Sequence, residues 1–282
     1  MTVMAPSKIF GREWFRLTTL VMFVTPLAMQ AQPGWRVKGY GLGYKVFEID
    51  LKGNNLSSVA PYVKNRDAYQ QLVGPVLASS NSFWGDPGVG HLKTVYANVE
   101  LQKKDPQTRF AKQFSVQAGL LLTTTSRRPT GRAGFVSSYA NVDTPITSNT
   151  LALVNHQQLA GANIGLNWRA KILRHLNFVT GLHVQGSFTI KGYYAPSFDS
   201  SVYRPATGWI TKSVAQPKID ATQYFQWQAM IPLGLEVELY KQQLLLRAEA
   251  YLGWLGNRYR TTRYDREAHG IGFWLIYQPR RH

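Results

Sequence analysis

The sequence predicts an all-β chain, a transmembrane antiparallel up-and-down β-barrel of eight strands, with ten as the alternative count. Three observations predict it. Several segments alternate apolar and polar residues with a period of two, over lengths that reach across a bilayer when tilted. Short and long connections alternate strictly between these segments. A single apolar run lies near the start, where an export signal would stand.

That run is Leu17 to Leu27, eleven residues long and short for a spanning helix. Lys8, Arg12 and Arg16 precede it against Glu13, and Ala28-Met29-Gln30-Ala31 follows as a small-residue end. Residues 1–31 therefore read as a cleavable signal peptide, with cleavage after Ala31. An uncleaved helical anchor is the other reading. Cleavage removes three basic residues and one acid, taking the formal charge from +17 to +15. Residues 32–282 are expected to form the barrel.

The clearest alternation runs from Tyr224 to Leu239. Phe225, Trp227, Ala229, Ile231, Leu233, Leu235, Val237 and Leu239 share one parity, against Gln226, Gln228, Gly234, Glu236 and Glu238. A helix would scatter the two sets around its circumference, whereas a strand gives each its own face. The same separation holds at Val95–Leu101, Phe114–Leu122, Ala160–Ile172, Phe178–Ile190, Leu244–Trp254 and Ile271–Tyr277. The first strand, Trp35 to Leu51, is the least regular. Tyr40, Leu42, Tyr44 and Val46 share one parity and Phe47, Ile49 and Leu51 the other, so either a bulge near Val46 or a change of environment is required.

Residues 103–108, 173–177 and 239–243 make short turns. The links near 52–90, 124–157, 192–222 and 256–267 are long and are expected to be external loops. An extra hairpin within the third, around Trp209 to Val214, would raise the count to ten. A soluble sandwich or lipocalin-like barrel also alternates, but strands of roughly 12 to 16 residues exceed the usual globular length.

With no cysteine among the 282 residues, disulfides and thiolate metal sites are ruled out. No metal cluster or cofactor motif is found, and no cofactor is expected. The strong positive charge raises nucleic acid as a partner, but the basic residues are scattered rather than clustered on one element, which argues against it. No catalytic motif emerges. None of the six histidines has serine two residues later, and His183 and Ser187 on one face stand about 13 Å apart at strand rise. The chain is therefore read as a non-enzyme.

On these features the chain resembles the small outer-membrane barrels of Gram-negative bacteria, similar to the OmpA transmembrane domain and OmpX. The last strand, His269-Gly270-Ile271-Gly272-Phe273-Trp274-Leu275-Ile276-Tyr277, looks like an insertion signal of that family. One departure is the tail Gln278–His282, because such chains usually stop on the aromatic. The resemblance implies residence in the cell outer membrane. Its implied partners are outer-membrane lipid and lipopolysaccharide, the barrel-insertion machinery and a further outer-membrane protein.

Two candidate sites follow from the residues. Glu100, Arg169, Lys171, Glu236, Glu238, Arg247 and Glu249 fall on the minority faces near the short turns. Eight strands leave room only for side chains, so these charges are expected to form a paired plug, or else to line a wet vestibule. Arg127, Arg128, Arg132, Arg258, Arg260 and Arg263, with Arg266, lie on the long links, whose net charges come to +1, +2, +1 and +2 in chain order. They are candidate phosphate contacts; a protein or glycan partner and plain solvated surface are the other readings. The function expected is a structural, surface-binding or assembly-component role with no open solute pore. A lipid-active enzyme and a subunit of an export or uptake assembly are the alternatives.

Overall fold

The structure, a computed structural model, describes residues 34–50, 59–77, 82–85, 89–125, 129–137, 146–204, 207–240, 243–259 and 262–279. The proposed signal segment 1–31 lies outside the described residues. The strands are β1 (Trp35–Asp50), β2 (Ser82–Gly85), β3 (Val89–Lys103), β4 (Phe114–Thr125), β5 (Pro129–Ser137), β6 (Ile146–Leu173), β7 (Leu176–Arg204), β8 (Gly208–Ala215), β9 (Ile219–Asp220), β10 (Phe225–Tyr240), β11 (Leu244–Tyr259) and β12 (Thr262–Tyr277). Helix α1 spans Arg66–Leu77 and the short α2 spans Arg109–Gln113.

Eight of these strands close a ring in the order β1-β3-β4-β6-β7-β10-β11-β12, and β12 returns to β1. Every pairing is antiparallel. The chain is thus an eight-stranded antiparallel β-barrel. Partners followed around the ring from Glu100 pass through Gln117, Gly165, His183, Met230, Gly253, Ala268 and Ile49. The path returns to β3 at Gly90, a stagger of ten residues. With standard strand rise and spacing, that stagger tilts eight strands by about 40° to the barrel axis.

The barrel is inside-out relative to a soluble one. Its outward faces carry Leu42, Val95, Leu122, Ile164, Leu182, Val184, Ile231, Leu233, Leu252, Ile271 and Phe273, all exposed. Its inward faces carry buried Asn98, Gln117, Asn163, Asn167, His183, Gln185 and Gln228. Strict alternation with period two assigns each set to its side.

The irregular first strand has a different explanation from a bulge near Val46. Pairing of β1 with β12 runs unbroken from Tyr40 to Ile49, and the register shift against β3 lies between Val37 and Gly39. Phe47 points inward, fully buried with Leu92, Met230, Tyr251, Leu255 and Ala268. The outer half of the lumen keeps buried Thr94, Thr123, Ser187, Thr189 and Gln226, but this apolar cluster lines one side of it, so inward parity carries phenylalanine at position 47.

The hairpin around Trp209 to Val214 exists, but it does not raise the ring to ten. Strand β8 pairs with the far end of β7, at Ser197–Arg204, well beyond the part of β7 that meets β10. All four long links contain strand, the first of them through β2. Residues 146–157 and 193–204 continue β6 and β7 past the ring, and β11 and β12 stay paired as far as Tyr259 and Thr262. Together β2, β5, β6, β7 and β8 make a blade rising from one side of the barrel.

One face of the blade is covered. Val59 and Val63, flanking a one-turn helix at Ala60–Tyr62, and Tyr69 and Val73 of α1 pack against Leu151 and Leu153 of β6, Tyr194 of β7 and Ile219 of β9. Backbone bonds stitch the same segment to the link before β10: Lys64 N donates to Asp220 O at 2.9 Å and Thr222 N to Tyr62 O at 2.8 Å. Burial in this cap pushes the Tyr69 phenol above its ordinary value, so it stays protonated.

Candidate functional site

The ring stacks the lumen in layers. At the short-turn end β3, β6, β10 and β11 each contribute an inward charge, because polar parity on those strands coincides with Glu100, Arg169, Glu236, Arg247 and Glu249. Arg169 lies between two carboxylates. Its Nη2 donates to Glu100 Oε2 at 2.6 Å, its Nε to Glu236 Oε1 at 2.9 Å, and its Nη1 to Glu100 Oε1 and to Ser115 Oγ. Arg247 donates to Glu236 Oε2 through Nη2 at 2.5 Å and Nε at 2.9 Å, with Glu249 Oε1 3.4 Å from Nη1. Glu236 therefore bridges both guanidinium groups. The planar fork of arginine suits this two-sided pairing.

Lys38 completes the group, 3.6 Å from Glu100. Three cations, Lys38, Arg169 and Arg247, thereby meet three carboxylates, Glu100, Glu236 and Glu249. Charges this deep are tolerable only when paired and hydrogen-bonded, and the balance meets that condition.

Lys171 and Glu238 do not belong to this group. Lys171 is exposed beside the turn between β6 and β7. Glu238 lies 3.5 Å from His175 of that turn. The pairing registers shift between Lys171 and Leu173 and between Glu238 and Tyr240, so strand parity ends before it reaches either residue's turn.

Above the ion pairs lies an aromatic and amide layer. Tyr251 Oη donates to Glu249 Oε2, and Trp274 Nε1 donates to the same oxygen at 2.7 Å. Lys45 Nζ sits 3.9 Å from the ring centre of Tyr251, 4.6 Å from Tyr96 and 5.1 Å from Trp274. Glu249 acts on Lys45 from beyond ion-pair distance, and the faces of three aromatic rings supply its close contacts. Room for Trp274 comes from Gly43 opposite it, where a β-carbon would fall 2.4 Å from the indole.

His183 belongs to the amide side of this layer. Its Nε2 is 2.7 Å from Asn167 Oδ1 and 3.2 Å from Gln117 Nε2. Its neighbours are thus amides from other strands, and Ser187 is not among them. Tyr96 Oη donates to Gln185 Oε1 at 2.6 Å, and Gln185 Nε2 to Gln228 Oε1 at 2.7 Å.

Sequence reading missed Lys38, Lys45, Tyr251 and Trp274. Parity alone could have found Trp274 and Tyr251, which alternate with lipid-side residues. Their aromatic character inside an apolar run hid them. The glycines on neighbouring strands were the remaining signal, since a bulky inward residue needs an empty position beside it.

Of the loop arginines, Arg127, Arg128 and Arg260 lie outside the described residues. Arg132 is on β5 and Arg263 on β12, each placed by its backbone. Arg258, exposed near the end of β11, pairs in register with Arg263; Arg266 is half-buried on β12.

Neither a protein family nor a curated protein matches this chain. Solved structures with some likeness include the Ralstonia pickettii toluene transporter TbuX, 7% identical with a TM-score of 0.18, covering 90% of this chain and 94% of that one. The outer membrane protease OmpT from Escherichia coli is 10% identical with a TM-score of 0.16, over 88% and 98% of the two chains. The anion-selective porin from Comamonas acidovorans is 9% identical with a TM-score of 0.14, over 86% and 100%. Scores so low transfer nothing from these proteins. The fold stands on the chain's own strand register: a closed ring of eight antiparallel strands, apolar outside and polar within.

Proposed function

We propose that the chain is an integral outer-membrane barrel with a closed lumen, serving a structural, surface-binding or assembly-component role through its external blade. The filled lumen carries this reading. Side chains from all eight ring strands meet inside, and Arg169, Arg247, Glu236, Glu249, Lys45, Trp274 and Tyr251 are each almost wholly buried. A conducting channel of eight strands would need that space. The belt of outward apolar side chains supports membrane residence, since a sheet closed on itself leaves no unpaired backbone in lipid. An OmpA- or OmpX-like identity and an export signal at 1–31 belong to the same proposal. So do the absence of enzymatic activity and the lipid, lipopolysaccharide, insertion-machinery and protein partners.

The blade is the part suited to binding. It rises beyond the ring on extended β6 and β7, and its cap core gives it a fixed shape independent of the lumen. Rigid, projecting elements position recognition residues better than free loops.

Planar-bilayer conductance tests the closed lumen: purified protein should insert without producing stepwise current. Open-channel steps in the unaltered protein would sink the proposal. Recovery from the aqueous phase without detergent would remove the membrane claim. An assay on lipid A and phospholipids separates the enzyme alternative, and gentle extraction followed by sizing separates a lone barrel from a subunit.

A further inference from the structure

On the outside of the barrel, three titratable side chains form a row across three neighbouring strands. Glu48 of β1 pairs in register with His91 of β3 on one side and with His269 of β12 on the other. His91 Nε2 lies 3.1 Å from Glu48 Oε1, and His269 Nε2 lies 3.2 Å from Glu48 Oε2. All three share the outward parity of the apolar belt. On β1 the outward series Leu42, Tyr44, Val46 ends at Glu48. On β12 Tyr277, Leu275, Phe273, Ile271 ends at His269. On β3 Val95 gives way to Lys93 and then His91. The row therefore marks the outer edge of the lipid-facing surface, where headgroups begin.

We propose that this row, together with Lys93, is a proton-dependent seat for the phosphate of an outer-leaflet lipid headgroup, with His269 as its contact residue. The proposal rests on the membrane reading above.

The chemistry follows from Glu48. An ionised carboxylate accepts hydrogen bonds only, so it holds the proton of each neutral imidazole at Nε2. That leaves Nδ1 of His269 as a lone pair on an exposed side chain. A second proton turns Nδ1 into a donor and gives the ring a positive charge, which suits an anionic phosphate oxygen. Lys93, two residues below His91 and exposed on the same face, adds a fixed cation. Glu48 itself and Glu267, exposed on β12 beyond His269, are the opposing charges among the described outward groups. The adjacent outward residues Leu252 and Trp254 of β11 and Thr124 of β4 carry none.

The test is histidine titration by NMR on the whole protein in three media: phosphate-free maltoside micelles, the same micelles with inorganic phosphate, and phosphatidylglycerol vesicles. His175, exposed at the opposite end and also beside a glutamate, reports the general surface potential. In the vesicles the titration midpoint of His269 should rise above its micelle value by about half a pH unit more than that of His175 does. Glu48→Gln should abolish this excess, and if that variant does not fold, Lys93→Gln should reduce it. Equal shifts at the two histidines, or an excess that survives whichever of these variants folds, would overturn the proposal. An equal excess with inorganic phosphate in micelles would overturn the lipid as the source. Heat-modifiable migration on gels, run on each preparation, reports barrel formation separately, so failure of the membrane reading and failure of this site are distinguishable.

Discussion

At the short-turn end of the lumen, Arg169 and Arg247 share Glu236 and hold strands β3, β6, β10 and β11 together through ions. At the other end the inward positions carry Phe47, Leu92, Met230 and Leu255. Beyond them, Leu151, Leu153, Tyr194 and Val73 pack under the cap. Both regions are buried, yet truncating their side chains should act differently. Shortening an apolar side chain leaves a cavity, whose cost scales with volume. Removing one partner of an ion pair leaves the other charge buried with nowhere to go. The ionic end is therefore predicted to be the brittle one and the apolar end the forgiving one.

Arg169→Met should break this barrel hardest, since it leaves Glu100 only the longer contacts to Lys38 and Arg247 and takes away one of the two guanidinium groups on Glu236. A loss of about 3–5 kcal/mol is expected, read as a lowered urea midpoint for the heat-modifiable form. Leu153→Ala should cost about 2–4 kcal/mol at its own site. There the loss belongs to the cap, so protease should cut within 59–77 while the barrel's gel shift persists. If instead the whole barrel unfolds, cap and ring are one cooperative unit and the contrast between the regions fails.

Gly43→Val probes the layer between them. The new side chain would meet Trp274, an overpacking penalty of about 1–3 kcal/mol, and tryptophan fluorescence should shift with it. Replacing Arg247 and Glu249 singly and together should give non-additive losses, with a coupling of about 0.5–3 kcal/mol. Additive losses would show that Arg247 and Glu249 do not act as a pair, leaving Arg247 to Glu236 and Glu100. Smallest of all, Lys171→Ala should change stability by less than about 0.5 kcal/mol, because that side chain is exposed outside the ionic group.

Much of the ring was legible because a bilayer and a polar lumen impose opposite demands on alternate residues. Tyr224 to Leu239 shows this most plainly. Legibility faded wherever that contrast weakened. Phe47 broke the pattern because it belongs to an apolar patch lining one side of the outer lumen. Residues 146–157 and 193–204 read as loops because beyond the ring one face meets a cap rather than a lumen. A register shift at Gln158/Leu159 further displaces the pattern there. In the candidate site, Glu100, Arg169, Glu236, Arg247 and Glu249 could be read from parity and distance to a turn. Lys171 and Glu238 met the same rule but lie where pairing becomes irregular. Lys45 could not be read as caged, since nothing in a linear pattern says that Tyr96, Tyr251 and Trp274 from three other strands converge on it.

The seam between β1 and β12 has a consequence for how the molecule is made. Tyr40 faces Tyr277 across it, so the ring joins the two ends of the barrel. The other ring pairings can form between strands that follow one another in the ring and in the chain, whereas this one must wait for the final strand to emerge. A pairing of such long sequence separation is slow to form unaided. Until it does, β1 presents a row of unsatisfied amides and carbonyls to its surroundings. The nascent protein should thus spend its riskiest interval as an open, sticky sheet, and a truncation before His269 should leave it there permanently, prone to aggregation and degradation rather than partly functional.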